Sequence, residues 1–318
     1  MADGDSDRIE RLDPRFDALI PADLAFEVVA DFSGREGEHW LEGPVWDKRQ
    51  GCLFFSDVKS NAIHRWRPSD GTELFLQPSG YTGSAPFPGA EPGANGLAID
   101  AEGRLLMCEH GDRRVTRLEA DGSKTVLADR FQGQRLNSPN DLAVHSNGDV
   151  YFTDPPFGLP RQFDDPGQEL GFNGVYRISA AGELTLLLDR LRAPNGIALS
   201  PDETTLFVAD GNRERSTFLA FPLRADGSLG EARVLLDVTG MDGYGGPDGL
   251  AVDHHGNLYA AAHERVFVIA ADGTHLGTLV PRQGITTNMG WGEGGSTLFV
   301  TTERRLLRLR LTTLGARC

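Results

Sequence analysis

One short pattern recurs six times along this chain of 318 residues: a polar residue, a small residue and then an apolar run. The copies are "EGPVWD" from Glu42, "NGLAID" from Asn95, "NDLAVH" from Asn140, "NGIALS" from Asn195, "DGLAVD" from Asp248 and "NMGWGE" from Asn288. Neighbouring copies start 40–55 residues apart, and the sixth is regular in place although degenerate in its letters. A repeat of that length is one supersecondary unit whose apolar faces are covered only by stacking on its neighbours.

Each copy runs into a tight turn such as "DKRQG", "DAEG", "HSNG" or "DHHG", and then into a second apolar run such as "CLFFSD", "DVYFTD" or "TLFVAD". Third and fourth runs follow, joined by Asp-Gly-type turns, and good helix signals are nearly absent. Short runs rich in Val, Leu, Phe and Tyr between Gly, Asp, Asn and Ser are strands joined by hairpins. Four antiparallel strands per repeat predict an all-β fold, a six-bladed β-propeller with four-stranded blades. The sixth copy supplies only three runs, whereas "LAFEVVADF" (24–32) stands unclaimed ahead of the first. This N-terminal strand is expected to close the last blade and cover its open edge. Residues 1–23 are left as a tail or wrap, and 24–318 form a single propeller domain.

Acidic residues outnumber basic ones by 46 to 31, for a formal charge of −15. That sign repels nucleic-acid backbones and anionic membranes, so neither is expected as a partner. Cys52, Cys108 and Cys318 lack metal-ligand or disulfide-framework spacing, and Cys52 and Cys108 sit inside apolar runs. No signal peptide or membrane helix is visible, so the chain as given reads as cytoplasmic, or as exported if a leader was removed upstream.

In a propeller the first strand of each blade lies nearest the axis. The residue opening it then points to the central channel: Glu42, Asn95, Asn140, Asn195, Asp248 and Asn288. Singly, each is an ordinary turn residue. Six oxygen-bearing side chains at one repeat position, two of them carboxylates, are instead an expected site for one hard divalent cation. Ca²⁺ suits an irregular oxygen set best. Mg²⁺ or Mn²⁺ could take the same ring, and Zn²⁺ is the poorest fit without His or Cys ligands. The two long insertions, 77–94 and 155–173, fall on the face where these residues start, and are expected to wall a pocket over the ion. The second strands end at that face too. Of their last residues, Asp57 and Asp210 read as turn formers, whereas His110, Asp154 and His263 are candidates for gripping substrate or carrying protons.

These residues resemble the SMP-30/gluconolactonase/luciferin-regenerating family of six-bladed propellers across roughly residues 16–311. The motifs carrying the resemblance are "FDALIP" leading to "EGPVW", then "NSPNDLAV", "PNGIALS" and "GGPDGLAVD", closest to the gluconolactonase branch. The resemblance implies one divalent cation, commonly Ca²⁺, on Glu42, Asn140, Asn195 and Asp248. It also implies hydrolysis of a sugar lactone such as glucono-1,5-lactone to the open acid. Asp248 is then the catalytic residue, as general base on water or, second, as nucleophile. The regucalcin branch places a substrate-contacting Arg two residues before the middle Asn. Here that position is Ser138, so the contact is not carried over. Three other functions stay open at this point: a phosphotriesterase of the diisopropylfluorophosphatase kind, a non-catalytic propeller binding a protein or peptide on its face, and a calcium-binding or structural role without turnover. No G-x-S-x-G elbow occurs, and "GYGGPDG" lacks the helix a dinucleotide loop requires.

Overall fold

A computed structural model describes residues 7–316. Six antiparallel sheets follow one another around the ring, and in the first five blades four successive strands run from inner to outer. The inner strands are Leu41–Asp47, Ala94–Ile99, Leu142–Val144, Pro194–Leu199, Leu250–Val252 and Thr286–Gly292. The ring closes as the unclaimed strand predicted: Glu27–Asp31 pairs antiparallel with Arg305–Arg310 and becomes the outer strand of blade 6. Among the described residues no helix is long and apolar enough to cross a membrane.

Alternation of side chains explains how the blades hold together. In the second strand of blade 1, Leu53 and Phe55 pack against blade 6, while Cys52 and Phe54 pack against blade 2. Six buried apolar clusters result, one between each pair of neighbouring blades. Fully burying a Phe or Leu contributes about 1.5–3 kcal/mol, so every blade is held from both sides and none is stable alone. Cys52 and Cys108 are free thiols inside these clusters, serving as small apolar side chains.

Each inner strand is irregular at its polar residue. Pairing slips between Glu42 and Val45, Ala94 and Leu97, Pro194 and Ile197, and Thr286 and Met289. In blades 3 and 5 the regular ladder starts after the polar residue, which is still tied to the second strand by Asn140 N–H to Thr153 O (2.9 Å) and Asp248 N–H to Ala261 O (2.8 Å). A bulge re-aims a side chain that would otherwise lie between blades, and here it turns the polar group to the axis. The price is close backbone approach. Gly43 has φ +53°, and a Cβ there would collide with Asn95 O of the next blade, while a Cβ on Gly196 would collide with Asp248 O.

Two features were not announced by the repeat. Arg130–Phe131 and Gln134–Arg135 form a small hairpin between blades 2 and 3. Arg8–Arg11 adds a fifth strand to blade 5 against His275–Val280, followed by a 3₁₀ turn, Pro14–Ala18, that Asp13 caps through Arg15 N–H. That turn sinks Phe16, with Leu19 and Ile20, into the cluster between blades 5 and 6. Phe16→Ala is therefore expected to cost about 3–5 kcal/mol, read as a lower urea midpoint. An unchanged midpoint would show that this segment merely rests on the surface.

Candidate functional site

Five of the six axial residues, Glu42, Asn95, Asn140, Asn195 and Asp248, line a single cavity of about 800 Å³ at one end of the channel. Both long insertions wall it, 77–94 through Glu91 and 155–173 through Phe157, Gln162, Phe163 and Asp164. Trp40, Arg192, the 211–214 turn of blade 4 and the Gly246–Pro247 approach to Asp248 complete the lining.

Asn288 lies outside this lining. Its Oδ1 accepts from Met289 N–H at 2.7 Å, and its side chain hydrogen-bonds both Glu42 and Asp141. Asp141 was not singled out from the sequence, although it stands where most copies carry Gly. Its Oδ1 accepts from Leu142 N–H at 2.9 Å, and it belongs to blade 3, across the axis from Asn288. The pair thus forms a floor. Beneath it the channel is lined by Val45, Leu97, Leu142, Ile197, Leu250 and Met289.

The hub is electrostatically strained. Burial, then the charge of Asp141, push Glu42 up to about 8, against opposing hydrogen bonds from Asn288 and Gly43 N–H. Burial, then the charges of Glu42 and Asp141, hold Asp248 well above the ordinary carboxylate range. Burial alone lifts Asp141 to about 6. Carboxylates this close resist ionising together unless a cation lies among them.

The amides suit such a cation. Asn95 Oδ1 is buried without a hydrogen-bond partner. Asn195 Nδ2 donates to Pro247 O at 3.2 Å, and Asn140 Nδ2 lies 3.4 Å from His110 Nε2. With their nitrogens committed to protein, the amide oxygens are the atoms left for the cavity. No group of three or more His, Cys, Asp or Glu side chains among the described residues is placed to hold a metal. An ion here would depend on asparagine oxygens, which suits Ca²⁺ or Mg²⁺ and not Zn²⁺.

Around the hub, three second-strand termini do one job. Asp57 Oδ1 accepts from Trp40 N–H at 3.1 Å, and Asp210 Oδ1 from Ala193 N–H at 2.9 Å. Asp154 Oδ2 accepts from Asn137 N–H at 2.8 Å and is also hydrogen-bonded by Ser138 N–H. Each carboxylate pins the backbone two or three residues ahead of an axial side chain. Asp154 therefore supports Asn140 from behind and does not line the cavity. Ser138 likewise faces away, donating to Pro155 O at 2.6 Å and accepting from Gly158 N–H at 2.9 Å, which ties down the 155–173 insertion. His110 is buried between Asn140 and Glu91, whose Oε2 is 3.0 Å from Nδ1. His263 is buried beneath Gly243 with both ring nitrogens unpartnered, away from the cavity lining.

Burial pushes Asp154 up to about 7, with Asn137, Ser138 and Arg113 opposing. A raised carboxylate favours the folded state fully below its unfolded pKa, and that contribution is lost as pH rises through the folded value. Asp154→Asn should remove a stability loss on the order of 4 kcal/mol between about pH 4 and pH 7. Urea unfolding of both proteins across that window reads it, and parallel pH profiles would refute it.

Comparison with known proteins agrees with the fold. Residues 40–304 match the SMP-30/gluconolactonase/LRE-like region. A gluconolactonase of Zymomonas mobilis is 36% identical over 318 residues, covering 97% of this chain and 87% of that one. A gluconolactonase structure from Xanthomonas campestris superposes with a TM-score of 0.81 at 34% identity, covering 96% of each chain. The fold is also that of a calcium-binding regucalcin from Agrobacterium tumefaciens, with a TM-score of 0.70 at 22% identity over 92% of this chain and 95% of that one. Lactone hydrolysis is the activity common to the more similar relatives, and the chain is a hydrolase of lactonase type. A six-bladed propeller with this repeat and this match over most of its length belongs to the SMP-30/gluconolactonase/LRE-like family.

Proposed function

We propose that the hub is the active site, that Glu42, Asn140, Asn195 and Asp248 hold one divalent cation there, Ca²⁺ by preference, and that the substrate is a sugar lactone of the glucono-1,5-lactone kind, opened to the free acid. The observation that carries this reading is the pair of carboxylates, buried Glu42 and half-buried Asp248, facing amide oxygens in one cavity. A bound cation would supply Lewis-acid polarisation of the lactone carbonyl and charge balance for the oxyanion.

The chain's own groups do the rest. Asp248 takes the proton of the attacking water as its oxygen adds to the carbonyl carbon. The ring C–O bond then breaks, and the ring oxygen leaves as the hydroxyl of the open acid by taking the proton that Asp248 removed from water, which returns Asp248 to its starting state. Glu42 supplies the second negative charge of the ligand set, and its hydrogen bond from Asn288 keeps the carboxylate oriented. His110, held between Glu91 and Asn140, fixes which way the Asn140 amide points. Asn95 offers a buried acceptor to a substrate hydroxyl. Trp40, Phe157 and Phe163 give the cavity apolar walls that cover the sugar and exclude bulk water.

Two outcomes test the reading. Asp248→Asn should lower kcat/KM on glucono-1,5-lactone by about 100-fold or more, and Asn95→Ala by about 10-fold or less. Equal small losses from both would remove Asp248 from the chemistry. A parallel organophosphate panel decides between lactonase and phosphotriesterase. Exhaustive chelation should abolish turnover, and Ca²⁺ returned at about 100 times its Kd should add about 2.7 kcal/mol of stability, seen as a rise in Tm. Full activity in metal-free protein would overturn the cation's role.

A further inference from the structure

The cavity is at the large end of the ~300–1,000 Å³ expected of a small-molecule site, and one part of its wall differs in charge from the rest. The hub beneath is acidic, with Glu42, Glu91, Asp141 and Asp248 acting on one another. Arg192 and Arg213 line the wall where blade 4 meets the cavity, and both are exposed. They flank the hub from two connections: Arg192 sits three residues before Asn195, and Arg213 lies in the turn after Asp210.

Some arginines of this acidic chain are engaged with carboxylates, as Arg114 with Glu109 at 2.6 Å, Arg177 with Asp149 at 2.7 Å and Arg308 with Glu27 at 2.6 Å, and others with backbone carbonyls, as Arg113 with Leu136 O at 2.7 Å. Among the described residues, neither Arg192 nor Arg213 has a carboxylate oxygen within 4.0 Å, although Asp164 and Glu214 share the same wall. The Arg192 guanidinium instead lies over the Phe163 ring, 4.9 Å from its centroid. Stacking of this kind fixes the plane of the group while leaving its edge N–H donors free. Arg190 and Arg192 also line an adjoining groove of about 490 Å³, together with Asp165 and Asp189.

We propose that Arg192 and Arg213 form an anion subsite, so that the preferred substrate is a sugar lactone carrying a phosphate or carboxylate remote from its reacting carbonyl. This rests on the lactonase reading and deepens it. The planar, five-donor guanidinium matches phosphate and carboxylate oxygens. An anionic substituent held at the rim leaves the hub free for the reacting end of the substrate. The lactone carbonyl is thereby directed to the hub.

The test compares kcat/KM for glucono-1,5-lactone, 6-phosphoglucono-1,5-lactone and a lactone bearing a distal carboxylate. The wild-type protein should prefer at least one anionic substrate by roughly 10–100-fold, the worth of charge-assisted hydrogen bonds. That preference should shrink as salt rises from ~0.01 M to ~1 M, where the screening length drops from about 30 Å to about 3 Å. Arg192→Gln and Arg213→Gln should each cut the anionic-to-neutral ratio, mainly through KM, while Arg213→Lys retains part of it. Melting curves check that each variant is folded. Hydrolysis of the neutral lactone with no anionic preference would overturn the subsite and leave the lactonase reading standing. Failure to hydrolyse any of the three would overturn both.

Discussion

Glu42 and Asp248 are brought together in one cavity, and the rest of the hub is organised around the mutual repulsion of their charges. Each raises the cost of ionising the other, and Asp141 adds to both. A fold does not keep such a group for stability, because hydrophobic side chains of similar size would pack there without the penalty. The repulsion is tolerated because the blades are held from their flanks, by apolar clusters between every neighbouring pair. The apolar layers stabilise the ring, and the ring imposes proximity on groups that would otherwise separate.

Support for that geometry is layered outward. Bulges in the inner strands aim the axial side chains, and Asp57, Asp154 and Asp210 pin the backbone just upstream of three of them. Asn288 and Asp141 close the channel under the cavity, so polar chemistry is confined to one end and apolar packing to the other. The insertions then build walls on this base without contributing to the ring itself. Such a division lets loops change substrate preference while the hub stays intact.

Much of this was legible in the chain because propeller strands pair with their neighbours in sequence. Every blade is a run of hairpins, so period-two alternation and Asp-Gly turns report the sheet directly. Equivalent positions in the repeats also land at equivalent places around the axis, which is why Glu42, Asn95, Asn140, Asn195 and Asp248 could be grouped before any coordinates. Asn288 shows where that logic stops. It holds the equivalent position, yet its amide is consumed in the floor by Glu42 and Asp141. His263 shares a strand-end position with Asp154 but neither pins a neighbouring backbone nor reaches the cavity. The strand Arg8–Arg11 was invisible for another reason: its partner, His275–Val280, is remote in sequence, so no hairpin signal joins them.

The amino-acid sequence by itself determined the number of blades, the closure by the 24–32 strand and the ring of axial oxygens, since all three follow from local alternation and an internal repeat. Only the tertiary structure decided that Asp141 meets Asn288 across the axis, that Glu91 reaches His110, and that Arg192 and Arg213 face the cavity without carboxylate partners. Those contacts join side chains whose neighbours are set by how non-repeating loops fold over the ring, and no periodicity records where a loop will bring its charge.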